Sequence, residues 1–218
     1  MAPNHPAIEH VAERILELSL SHPVRVAVDG RTASGKTTFA DALAAIMQQG
    51  ARRVIRASVD GFHRSRVERH RRGRLSPDGY YEDARDLQAM RHLLLDPLGP
   101  GGDRNYVTAS FDLDGDRPLK RSPERAPKNA VLIVDGTFLQ RPELRDAWDF
   151  VIFLDAPAKE ARRRGVERDA SALGGTAAAS ELYDRRYGPA FARYDRECRP
   201  AHHANIVMAT QAATKPRG

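Results

Sequence analysis

Cys198 is the only cysteine in the 218-residue chain. No intrachain disulfide can form, and a zinc site built on thiolates is excluded. A reducing compartment fits both facts, and a cytoplasmic location is expected. No run of about 18 apolar residues occurs, so no membrane-spanning helix is expected. A signal peptide is not expected either, because Glu9, Glu13 and Glu17 interrupt any apolar core at the N-terminus and no basic leader precedes them. The eight histidines show no metal-binding spacing, and His202 and His203 stand together without a third ligand at useful distance. No internal repeat is visible, and the Asn-Lys-x-Asp pattern that reads guanine is absent. A regulatory GTPase is therefore disfavoured.

What is present reads as one globular domain covering residues 1–218. Hydrophobic residues make up 41% and charged residues 29% of the chain, enough apolar matter for a real core. The formal charge is +6, which favours polyanionic partners such as nucleotides. Six arginines fall between Arg64 and Arg74, with His63 and His70 beside them. Such a run is ordinarily a solvated loop. Beside a phosphate site it would attract anions. It lacks the aromatic interleaving of a nucleic-acid surface, so nucleic acid is not the expected partner.

Ile8, Val11, Ile15 and Leu18 recur at helical spacing over residues 6–20, a stripe expected to be core packing. Apolar runs at 24–28, 54–59, 131–134, 150–154 and 205–208 read as strands, and helices are expected at 36–49, 83–95, 157–169 and 180–197. An irregularity is expected at Gly188-Pro189. Residues 105–120 read as a hairpin turning at Asp114-Gly115. The Gly/Ala/Ser-rich stretch 170–180 reads as a mobile linker. Alternating strands and helices predict an α/β fold, a central parallel sheet with helices on both faces, plus a small hairpin and a lid over about 162–182.

The sharpest chemical signal is Gly30-Arg31-Thr32-Ala33-Ser34-Gly35-Lys36-Thr37, the full P-loop pattern, set between an apolar strand and a helix. Glycines let the backbone wrap a phosphate with its N–H groups turned inward, and the helix N-terminus adds positive charge there. Gly30, Ser34, Gly35, Lys36, Thr37 and Thr38 are thus candidate ATP-binding residues. Lys36 reaches the β- and γ-phosphates, and Thr37 binds Mg²⁺. Asp135, at the tip of the most apolar strand, is the candidate second magnesium ligand. Asp60 ends the second strand in the same way and can take the proton of an attacking hydroxyl. His63, three residues on, is within reach of the acceptor. Arg164 and Arg168 share a helix face before the 170–180 stretch and are candidate charge-neutralising residues on the lid.

Together these residues resemble the uridine kinase and phosphoribulokinase-like branch of P-loop kinases. The resemblance runs from about Val24 to Met208. It is carried by Asp29-Gly30…Ser34-Gly35-Lys36-Thr37-Thr38, Asp60-Gly61-Phe62-His63, Ser76-Pro77-Asp78-Gly79-Tyr80-Tyr81-Glu82-Asp83-Ala84, Val134-Asp135-Gly136 and Arg164…Arg168-Asp169. The late Arg185-Arg186-Tyr187-Gly188-Pro189 is similar to bacterial members. The resemblance implies transfer of the ATP γ-phosphoryl group to a nucleoside 5′-hydroxyl, that of uridine or cytidine, with Asp60 as base, Asp135 linked to magnesium and Arg168 on the lid. Three positions depart from it. Tyr80 stands near where the family carries an aspartate for the ribose, Ser110-Phe111-Asp112 stands where it carries a base-contacting histidine, and Gly165 replaces a lid arginine. Tyr80, Tyr81, Tyr106, Phe111 and Asp112 are therefore the candidate acceptor residues, on segments 60–82 and 104–120. A sugar phosphate, pantothenate or a nucleotide is the alternative acceptor, and a homo-oligomer is compatible with the sequence.

Overall fold

Five apolar runs pair into one sheet, and the three central ones are buried on both faces. The computed structural model describes residues 5–50 and 52–210. In chain order the elements are α1 (His5–Leu16), β1 (Val24–Gly30), α2 (Lys36–Met47), β2 (Val54–Ser58), α3 (Arg66–Arg69), α4 (Leu87–Met90), β3 (Asn105–Tyr106), β4 (Phe111–Asp112), β5 (Arg117–Pro118), β6 (Glu124–Arg125), β7 (Val131–Gly136), β8 (Phe150–Asp155), α5 (Ala158–Leu173), α6 (Thr176–Leu182), α7 (Gly188–Cys198), α8 (Pro200–His203) and β9 (Ile206–Ala209). The main sheet has the order β2-β7-β1-β8-β9, with every neighbouring pair parallel.

Alternate residues of the three central strands serve opposite cores. Val24, Val26, Val28, Ile133 and Ile152 meet α1 and α2, whereas Ala27, Leu132, Val134 and Val151 meet the layer around Met90, Leu94 and Leu98. This two-sided burial is why the strands read as continuous apolar runs. Ile8, Val11 and Ile15 of α1 are fully buried, each burial contributing about 1.5–3 kcal/mol. Among the described residues no helix is long and apolar enough to cross a membrane.

The expected helix over 83–95 is interrupted, and the interruption matters. Residues 84–86 leave the helical path to bond with 62–64, through Arg64 N to Ala84 O at 3.1 Å and Asp86 N to Phe62 O at 2.8 Å. Asp86 then caps α4 by accepting from Ala89 N at 2.9 Å. The hairpin is also shorter than expected. Only Phe111–Asp112 and Arg117–Pro118 pair across the 112–117 turn, while Asn105–Tyr106 pairs with Glu124–Arg125 instead.

The stretch 170–180 is not a linker. α5 runs on to Leu173, turns at Gly174-Gly175 (φ 88° and 111°), and α6 starts at Thr176. The chain stays helical to Cys198, with a π-wound turn at Tyr183–Tyr187 just before Gly188-Pro189. Within this stretch only Ala179 is buried, against Val166 and Tyr183, and a close helix contact falls just before it. That contact is at Gly165: a Cβ there would lie 2.1 Å from the Tyr183 ring. Gly165→Ala is expected to lower the melting temperature, because overpacking costs about 1–3 kcal/mol and helix propensity returns at most about 1 kcal/mol. A thermal melt at or above that of the parent protein would show that the two helices are not locked through Tyr183.

Candidate active site

The loop from β1 into α2 is tightly wound, with left-handed backbone at Ala33 and Gly35. A side chain at Gly30 (φ 151°) would meet Leu154 O at 2.7 Å and Ser34 Oγ at 2.9 Å, so the loop closes against β8 only with glycine. Ala33 holds the left-handed conformation at φ 63°, and Gly35 follows at φ 91°. Left-handed positions of this kind let a loop turn backbone N–H groups toward one anion, and Ser34 N closes the turn on Arg31 O at 3.1 Å. Asp29 anchors the loop, accepting from Gly30 N at 2.8 Å, Gln140 Nε2 at 3.0 Å and the Tyr194 hydroxyl. Full burial raises the Asp29 pKa against those hydrogen bonds.

Lys36 is buried, and its ammonium donates to Arg31 O at 2.7 Å. Burial pushes its pKa down to about 8, against the pull of Asp29, Asp60 and Asp135, with Arg85 adding to the fall. Three carboxylates from three strand ends therefore converge on one lysine. The Thr37 hydroxyl donates to Asp135 Oδ2 at 2.6 Å, and Arg56 Nη2 holds Asp135 Oδ1 at 3.1 Å. Thr38 is exposed in the first turn of α2, and Ser34 Oγ is buried with no partner among the described residues.

These donors fit a nucleotide triphosphate with magnesium. The loop, the orphaned Ser34 hydroxyl and Lys36 suit phosphate oxygens. Thr37 and Asp135 supply two hard oxygens, which suits Mg²⁺ that keeps water and phosphate as its other ligands. Beside Arg31 and Thr32 a cavity of about 310 Å³ opens between α5 and α7, with Tyr183 and Tyr187 in its wall.

Asp60 stands in the tight turn Val59–Phe62 that follows β2, with its side chain 59% exposed. Arg85 Nη2 donates to its Oδ1 at 3.0 Å. Crowding by protein raises the Asp60 pKa; Arg85, His63 and Lys36 outweigh this and hold it below the usual carboxylate range. Solvent at the open side screens part of that attraction. His63 is buried, its Nδ1 bonded to Asp60 O at 2.8 Å and its Nε2 3.9 Å from Asp60 Oδ1. Burial and then Arg85 push its pKa down to about 4, so it is neutral at pH 7. The Tyr80 hydroxyl lies 3.3 Å from Thr32 Oγ1 and 3.4 Å from Arg85 Nη2, which ties the Asp60 side to the P-loop. Phe111 is buried on the hairpin, whose Ser110 N bonds Gly61 O at 2.9 Å next to Asp60.

Other expected site residues lie elsewhere. Tyr81 turns into the aromatic core, flanked by Arg141 and Arg193 at 4.3 and 4.5 Å from its ring, with its hydroxyl on Cys198 Sγ at 3.5 Å. Tyr106 is buried and bonds Glu124 at 3.3 Å, and Glu124 pairs with Arg53 just before β2, at the sheet end away from the P-loop. Asp112 caps its own hairpin turn, holding Gly115 N at 3.1 Å and Arg117 Nε at 3.2 Å. Arg164 bonds Glu160 at 2.8 Å, and Arg168 bonds Asp169 at 2.7 Å, which Tyr183 also holds. The sequence reading missed Arg85 and Arg56. Arg85 follows directly on the segment Glu82-Asp83-Ala84, and that adjacency was its one visible signal.

No family model matches the chain. Its structure is similar to that of a possible uridine kinase from Bacillus stearothermophilus, with a TM-score of 0.74 at 22% identity over 93% of this chain and 97% of that one. It is similar to a candidate fructose transport system kinase from a Silicibacter species, with a TM-score of 0.75 at 23% identity over 94% and 98%. Phosphoribulokinase from Rhodobacter spheroides matches with a TM-score of 0.61 at 14% identity over 90% and 74%. The chain shares the fold of these proteins, a central five-stranded parallel sheet with helices around it.

Proposed function

We propose that this protein is an ATP- and Mg²⁺-dependent kinase that transfers the γ-phosphoryl group to a hydroxyl of a small molecule. One observation carries the reading: Lys36, the Thr37–Asp135 pair and Asp60 meet at the carboxyl ends of β1, β7 and β2, where ligands bind in open α/β sheets. The kinases of the same fold support it.

Bound there, ATP supplies the phosphoryl group, and Mg²⁺ held by Thr37 and Asp135 supplies charge neutralisation. Lys36 offsets the negative charge of the β- and γ-phosphates. Asp60, ionised at neutral pH, holds the acceptor hydroxyl and takes its proton at a carboxylate oxygen. Arg85 fixes Asp60 in that pose. A weakly basic carboxylate suffices, because the loose transition state of phosphoryl transfer asks chiefly for positioning and electrostatics. The α5–α6 hairpin, with Arg164 and Arg168, is the lid in this reading, and it moves as a packed pair of helices.

The 5′-hydroxyl of uridine or cytidine is the acceptor that the sequence resemblance implies, and it is one arm of the test. A coupled assay of ADP release over nucleosides, sugar phosphates, pantothenate and nucleotides should give acceptor-dependent turnover with one class. Tight ATP binding with no acceptor-dependent release from any of them would remove the kinase reading.

A further inference from the structure

Arg85 and Arg186 lie over Tyr80, Arg69 is near enough for its charge to act on Arg186, and the N–H groups of the three are not all used. Arg85 and Arg186 are 8% and 7% exposed, and their guanidinium carbons lie 5.0 and 5.1 Å from the Tyr80 ring centroid. Arg85 spends Nη2 on Asp60 and on the Tyr80 hydroxyl, but its Nε and Nη1 have no partner among the described residues. Arg186 donates from Nη1 to Arg74 O at 2.8 Å, and its Nε has none. The side chain of Arg69 is 11% exposed; it donates from Nη2 to Asp116 Oδ1 at 2.9 Å, and its Nε is likewise buried and unpartnered.

An aromatic face steadies a cation but leaves in-plane N–H groups unmet. Buried donors without acceptors are costly, and four in one neighbourhood are unusual. The charge is also unbalanced. Asp60 faces Arg85 and Asp116 faces Arg69, but the hydrogen bond of Arg186 goes to a neutral carbonyl. Burial lowers the Arg186 pKa; Tyr187 and Tyr80 oppose this, and the charges of Arg85 and Arg69 lower it further. A planar fork with free donors matches an oxyanion better than it matches a sugar hydroxyl or a pyrimidine.

We infer that the acceptor is a small hydroxylated oxyanion, whose phosphate or carboxylate group is held by Arg69, Arg85 and Arg186 while its hydroxyl lies at Asp60. The inference rests on the kinase reading and narrows its acceptor class. Arg85 joins the two halves, since the same side chain binds Asp60 and presents the free Nε and Nη1.

Calorimetry tests it with the P-loop filled by a non-hydrolysable ATP analogue and Mg²⁺. Glycerol 3-phosphate and ribose 5-phosphate form the phosphate arm, glycerate and pantothenate the carboxylate arm, and glycerol, ribose and uridine the uncharged arm. At least one oxyanion should bind tenfold or more tightly than every uncharged compound, and the arm in which it falls identifies the anion. Arg186→Gln should weaken that binding at least tenfold and melt no lower than the parent protein, since it removes a buried unbalanced charge. Uridine binding as tightly as the best oxyanion would overturn the inference and leave the kinase reading intact. So would an Arg186→Gln protein that melts lower with undiminished oxyanion affinity, or one that loses only the ATP analogue. Failure of the parent protein to bind the analogue would sink both readings.

Discussion

Lys36→Ala should remove turnover, by about 10²–10³-fold or more, while the fold survives. The ammonium is the one lysine charge at the start of α2, and its protein contact is the Arg31 carbonyl at 2.7 Å rather than a core partner. Removing it leaves the phosphates without their pointed cation. The pH dependence makes the test specific. With a free-protein pKa of about 8, Lys36 is charged at pH 7 and half neutral at pH 8. Phosphate oxygens favour the charged form, so ATP binding raises the pKa. Affinity for ATP should therefore fall as pH rises through about 8, and binding there should draw a proton from the buffer. Calorimetry in buffers of different ionisation enthalpy reads that proton directly. In Lys36→Ala the uptake should vanish. Turnover within a few-fold of the parent, or an unchanged proton count, would show that Lys36 does not meet the phosphates.

Asp60→Asn should cut the turnover number by about 10²–10⁴-fold and leave ATP affinity nearly unchanged. The amide keeps the shape of the side chain but cannot take a hydroxyl proton, and it faces Arg85 without a negative charge. The lost ion pair also affects stability. Because 59% of the Asp60 side chain is open to solvent, screening limits that loss to about 1 kcal/mol, or a few degrees of melting temperature. Kinetics and melting thus separate a chemical role from a structural one. Equal turnover would exclude Asp60 as the base, and loss of ATP binding would assign it to the nucleotide instead.

The sequence alone determined the features that depend on residues close together in the chain. The P-loop needs its glycines, lysine and threonine within eight positions, between a strand and a helix, and that pattern is local. The central strands are legible because burial on both faces forces continuous apolar runs, and Asp135 is legible as the polar residue ending one of them. Local cues failed where packing decided. The small residues of 170–180 suggest a linker, yet they continue α5 and start α6 around the turn at Gly174-Gly175. Tyr80 and Tyr81 are adjacent, but a π-wound turn sends the first to Thr32 and the second to Cys198. Arg85 reaches Asp60 across 25 residues because residues 84–86 break the helix to bond with 62–64. Arg186 joins the same neighbourhood by bonding Arg74 across 112 residues. Charge and hydrophobicity along the chain mark what a side chain is, but which side chains share one low-dielectric space is fixed only when the helices and the sheet pack together.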